Sequence, residues 1–136
     1  MADSFDYLGA TGSEEIIGGG KTQPIRIVSA RAQPSGVMFT LPVALADFEP
    51  GPLGIILGTV ADALNKDADE PGVDDINVYQ DVSPSGQFVN KVAVTVVSTS
   101  GNSDETIQVP YGAIFDHRFA DAVKAARANM DALEGL

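Results

Sequence analysis

The residues able to do chemistry in this chain are almost all carboxylates: nineteen Asp and Glu stand beside a single histidine and no cysteine. One histidine cannot build a multi-histidine zinc site, and without cysteine there are no thiolate ligands, thiol nucleophiles or disulfides. His117 sits between Asp116 and Arg118. Chain order alone leaves a Ser-His-Asp arrangement open, yet no Gly-x-Ser-x-Gly elbow offers the serine, so His117 reads as a surface residue.

The acids are densest at Asp67, Asp69, Glu70, Asp74 and Asp75. A calcium-loop template started at Asp67 places Gly72 at its sixth position, but Pro71 replaces an oxygen ligand and Val78 the closing bidentate glutamate. The segment reads as a solvated acidic loop, with a loosely held cation as the alternative. Gly18-Gly19-Gly20-Lys21-Thr22 resembles the end of a phosphate-binding loop, but Glu15 stands where the leading glycine belongs. Gln23-Pro24 then opens a strand, so no helix N-terminus follows to hold phosphate, and the glycines read as a hinge. Asp47, Glu49, Asp81 and Asp104 are available for acid-base work, but availability does not say which acids are buried together. No catalytic residue, cofactor-binding residue or metal ligand is assigned, and no cofactor is expected.

The formal charge of -11 has a consequence for partners. Such a surface repels phosphate backbones and anionic lipid, so neither nucleic acid nor membrane is expected as a partner. Aspartate outnumbers glutamate, lysine occurs only at 21, 66, 91 and 124, and Ala, Val and Gly are abundant. That balance fits a protein of high-salt surroundings, where carboxylates keep a surface hydrated, and equally an ordinary acidic protein. No apolar run approaches the length of a membrane span, and Met1-Ala2-Asp3-Ser4 lacks the basic start of a secretion signal, so a mature soluble chain is expected.

The elements follow from periodicity. With 136 residues and 44% hydrophobic side chains, one core is expected. Residues 1–22 carry Phe5, Tyr7 and Leu8, then Ile16 and Ile17, separated by glycines and without helical or strand period. They read as an extended N-terminal arm whose two apolar clusters hold a neighbour, or else fold back on their own domain. Residues 23–136 form the body. Alternation predicts strands over 24–31 and 37–41, joined by Gln33-Pro34-Ser35-Gly36, and a second hairpin from 76–79 to 88–98 through Ser83-Pro84-Ser85-Gly86. Thr106 to Val109 completes a meander.

Leu53, Ile56, Leu57, Val60 and Leu64 predict a helix over 52–66, with a strand through Ile55-Ile56-Leu57 as competitor because Gly54 and Gly58 each weaken a helix by about 1 kcal/mol. Phe115, Phe119, Val123, Ala126, Met130 and Leu133 predict a final amphipathic helix, on which Arg127 can pair with Asp131.

The sum is an α+β fold, a curved and mostly antiparallel sheet of about five strands with two helices on one face and the extended arm. The function expected is a non-enzymatic assembly protein, a virion capsid or decoration subunit, touching protein subunits of the same assembly through Phe5, Tyr7, Leu8, Ile16 and Ile17. Alternatives are a small acidic ligand- or protein-binding module and, further off, a carboxylate-using enzyme. The location expected is the virion, or the cytoplasm if the protein is not viral.

Overall fold

A computed structural model describes residues 4–135. Six strands, β1 (Phe5–Gly18), β2 (Lys21–Ala32), β3 (Met38–Ala44), β4 (Val73–Val82), β5 (Phe88–Val97) and β6 (Asp104–Pro110), lie side by side in chain order. Helix α1 (Pro50–Ala68) follows β3 and α2 (Arg118–Glu134) follows β6, each preceded by a short 3-10 turn.

This corrects the expected fold in four respects. The sheet has six strands, is open rather than curled or closed, and is mixed, because β3 and β4 run parallel. There is no extended arm: Phe5 to Gly18 forms β1, paired antiparallel with β2 from Phe5↔Ala32 to Gly18↔Lys21. Residues 1–3 of the expected arm lie outside the described residues. The parallel step needs a long crossover, and α1 supplies it.

Alternation along the strands decides where the core sits. Val28, Ala30 and Ala32 on β2, Phe39, Leu41 and Val43 on β3, Ile76 and Val78 on β4, and Val92, Val94 and Val96 on β5 are buried. They form one cluster with Leu57, Val60, Ala61 and Leu64 of α1 and Phe119, Val123, Ala126 and Met130 of α2. Both helices therefore cover the same face, and each buried aliphatic side chain contributes about 1.5–3 kcal/mol of transfer free energy.

The segment over 52–66 is helical and extends to 50–68, with Pro50 and Pro52 both in its first turn, where a missing N–H leaves no bond unmade. Four buried side chains at three- and four-residue spacing outweigh the two glycines. Gly58 faces the Phe5 ring, where a Cβ would sit at 3.8 Å, an ordinary van der Waals contact.

The last helix starts later than its sequence pattern predicts. Phe115 lies in the 3-10 turn Tyr111–Phe115, its ring edge-on to Tyr111 at 5.5 Å, and Leu133 is 69% exposed. Asp131 does not pair with Arg127 but accepts from the Thr99 N–H at 2.9 Å and the Thr99 hydroxyl at 2.6 Å. Glu134 accepts from the hydroxyls of Ser98, Ser100 and Ser103. The end of α2 is thereby tied to the β5–β6 turn.

The β3–β4 seam rests on a single backbone bridge, Phe39↔Val78. Side chains do the rest: Thr40 Oγ1 donates to Gln80 Oε1 at 2.8 Å, and Gln80 Nε2 donates to the Thr40 carbonyl at 2.6 Å and to Asn90 Oδ1 at 3.2 Å. Gln80 thus links three strands where the backbones have splayed apart.

Candidate functional site

The five residues expected to make contacts all lie on β1, but they are not equivalent. Phe5 turns inward, packing against the core beside Gly58. Tyr7, Leu8, Ile16 and Ile17 stay on the surface at 41–49% exposure. The strand is held to its own domain at both ends. Near its start, the Gln33 N–H donates to the Ser4 carbonyl at 2.7 Å and Gln33 Nε2 to Asp6 Oδ2 at 2.8 Å.

Near its far end the β1–β2 hairpin meets the β4–β5 hairpin. The Ile16 N–H donates to the Gly86 carbonyl at 3.2 Å. Glu15 bridges the two, accepting from Gln23 Nε2 at 3.0 Å and from the Phe88 N–H at 2.9 Å. Gly86 is required there twice over: its φ is +85°, and a Cβ on it would fall on Cδ1, Cγ1 and Cβ of Ile16. Gly86→Ala is therefore expected to cost about 1–2 kcal/mol in urea denaturation. Faster hydrogen exchange at the Ile16 amide should accompany it, and an unchanged amide would show that the junction does not hold.

Apart from the Gly86 contact at Ile16, the outer edge of β1 is open. β1 has fourteen residues with no proline or lysine, and its partner side is filled by β2. The other sheet edge, β6, has seven residues, with Asp104 and Glu105 at its start and Pro110 at its end. Short length, charge, proline and bulges are the usual guards against strand pairing; β6 is short and has charge and proline at its ends, while β1 is twice as long and carries Asp6, Glu14, Glu15 and a bulge towards each end but none of these from Ala10 to Ser13.

A second feature escaped the sequence reading. Asp67, expected in a solvated loop, occupies the last turn of α1 and is 5% exposed. Its Oδ2 is buried without a hydrogen-bond partner. Burial, with Glu70 and Asp116 nearby and only partly offset by Lys66, pushes its carboxyl up to about 7. It lines a cavity of about 200 Å³ with Asp69, Glu70, Asp116 and His117. The signal was in the spacing, since 57, 60, 64 and 67 fall on one helical stripe and Asp67 is its last member.

The remaining expectations are placed by the structure as follows. His117 is exposed, with Nδ1 2.8 Å from Asp121 Oδ2. Asp116, held near 2 by hydrogen bonds from Arg118, pairs with that guanidinium at 2.9 Å. Gly19 and Gly20 form the β1–β2 turn at positive φ, without a following helix. Asp74 and Asp75 lie in β4, and no group of three or more His, Asp or Glu is placed to hold a metal among the described residues.

The comparisons with known proteins add nothing to this geometry. No family model, curated protein or solved structure matches the chain. Function has to be argued from the edge of β1 and from Asp67.

Proposed function

We propose that this chain is a non-enzymatic structural subunit that joins neighbouring subunits through the outer edge of β1, with a virion shell or its decoration layer as the assembly. The observation that carries the reading is the unguarded centre of that edge, flanked by the exposed side chains Tyr7, Leu8, Ile16 and Ile17. Free backbone donors and acceptors beside apolar side chains bind another strand without further chemistry. The -11 charge keeps phosphate polymers away and leaves protein subunits as the partners.

Sedimentation velocity on the intact chain tests this. A mass above the 14.1 kDa of one chain is expected, falling to that value in the double variant Leu8→Lys/Ile17→Lys. Both side chains are exposed, so the unfolding free energy measured in urea should change by no more than about 0.5 kcal/mol. A parent chain that sediments as a monomer up to millimolar concentration removes the self-assembling form of this reading.

A second reading, a small acidic module for a cationic partner, rests on the Asp67 cavity. An arginine-rich peptide that binds the parent and not Asp67→Asn would carry it.

A further inference from the structure

Resting on the assembly reading, we propose that the partner of β1 is β1 of a second copy, paired antiparallel about a twofold axis through Gly12. The direction of the amides comes first. Ile16 sends its N–H away from β2, to Gly86. Register is unbroken from Gly9↔Ser29 to Ile16↔Thr22, so alternation puts the N–H groups of Glu14, Gly12 and Ala10 on the same outer edge. Those groups are the free rungs of the sheet.

The sequence of β1 is its own complement about Gly12. The apolar pairs Tyr7-Leu8 and Ile16-Ile17 lie at equal distances on either side of it. Pairing centred there sets Gly12 against Gly12, Ala10 against Glu14, Leu8 against Ile16 and Tyr7 against Ile17. No carboxylate then faces another: Asp6, Glu14 and Glu15 meet Gly18, Ala10 and Gly9. Neighbouring registers lose either this or the apolar match. Centring on Ala10 opposes Asp6 to Glu14 and centring on Glu14 opposes that residue to itself, while centring on Thr11 sets Tyr7 and Leu8 against Glu15 and Glu14 and centring on Ser13 sets Ile16 and Ile17 against Ala10 and Gly9. Like charges directly across a ladder are destabilising.

The ends of the ladder match as well. Gly86 already occupies the outer edge at Ile16. The position opposite is Leu8, where β1 carries its bulge, between Tyr7 and Gly9. A bulge bends a strand away from its neighbour, so the second copy departs where the first is blocked.

Charge supplies the last element. Arg26 shares a face with Gly12 and lies over it, its Nη1 3.3 Å from where a Gly12 Cβ would be, and its guanidinium carbon is 5.9 Å from the Phe48 ring centre. It has no carboxylate partner among the described residues. Glu14 is on the same face and exposed. Across the twofold axis each Arg26 comes beside the partner's Glu14, two residues along the ladder, which makes two symmetric ion pairs.

Two single reversals and their mixture provide the test. Arg26→Glu alone places acid beside acid in both pairs, and Glu14→Arg alone places base beside base. Each should weaken self-association about tenfold or more. A 1:1 mixture of the two variants restores both opposite-charge pairs in the heterodimer, and its dimerisation measured by sedimentation should return towards that of the parent. Slowed exchange of the Ala10, Gly12 and Glu14 amides on dimerisation should accompany it. Variants that associate like the parent, or a mixture that stays as weak as its components, overturn the twofold pairing while leaving assembly through another register intact. A parent that never associates removes both.

Discussion

Asp67→Asn is expected to be more stable than the parent above neutral pH and to lose the parent's decline in stability between about pH 4 and pH 7. The sign follows from proton counting. The Asp67 carboxyl titrates near 7 in the fold against an ordinary value of 3.8. Between those values the folded chain keeps a proton that the unfolded chain releases, so unfolding is favoured as pH rises. The parent is least affected below pH 4, loses stability progressively as pH rises through the window, and levels off above about 7.

The displacement amounts to about 2–4 kcal/mol, because a carboxylate that Lys66 only partly offsets is buried at the end of α1, near Glu70 and Asp116. Asparagine keeps the shape and removes the charge. Asp116, Asp131 and Glu134 act in the opposite sense: hydrogen bonds from Arg118, Thr99 and the turn serines hold them below their ordinary values. Their support is lost only as pH falls through the carboxylate range, so the two effects separate on the pH axis. Urea denaturation of parent and variant at several pH values reads the difference, and a parent whose stability is flat from pH 5 to 8 would sink the assignment.

The second large effect concerns the N-terminal strand. A chain cut before Gln23 is expected to unfold or aggregate rather than yield a soluble body freed of an arm. β1 covers one whole edge of β2, where Val28, Ala30 and Ala32 are fully buried and Ile25 is 2% exposed. The cut also removes Phe5 from its seat against Gly58 and the Glu15 and Ile16 bonds to the β4–β5 hairpin. A loss on the order of 3–5 kcal/mol is expected, against a total of about 5–15 kcal/mol for a domain of ordinary stability. The newly exposed β2 edge would then invite aggregation.

Thermal unfolding with light scattering measures this, and a truncated chain that melts with the parent would return β1 to the status of a detachable arm. The prediction also decides how assembly is to be tested. Truncation confounds loss of contact with loss of fold, whereas substitution at Leu8, Glu14 or Ile17 of β1, or at Arg26 of β2, changes the surface at this edge and leaves the backbone pairing of the two strands.

Much of the fold was legible because local patterns report local burial. The apolar stripe of Phe119, Val123, Ala126 and Met130 marks α2, and the alternation of Val92, Val94 and Val96 marks β5. Pro-Ser-Gly turns mark two of the four hairpin corners, β2–β3 and β4–β5. The absence of cysteine and the excess of aspartate likewise need no structure to exclude thiol chemistry and to set the sign of the surface field.

β1 was not legible as a strand, for a physical reason. An edge strand that leaves Tyr7, Leu8, Ile16 and Ile17 exposed buries neither face in full, so no alternation is imposed on it, and its glycines read as linker. Its partner, β2, supplies the order through backbone bonds that side-chain pattern does not encode. The parallel β3–β4 seam depends likewise on Thr40 meeting Gln80 across forty positions of chain.

The carboxylates divide in the same way. Their number, the single His and the lack of Cys were written in the sequence. Which of them leaves water was not, because desolvation is a property of everything packed around a group. At Asp67 that surrounding is built by the α1 stripe together with the segment entering α2, elements joined only when the sheet brings them to the same face.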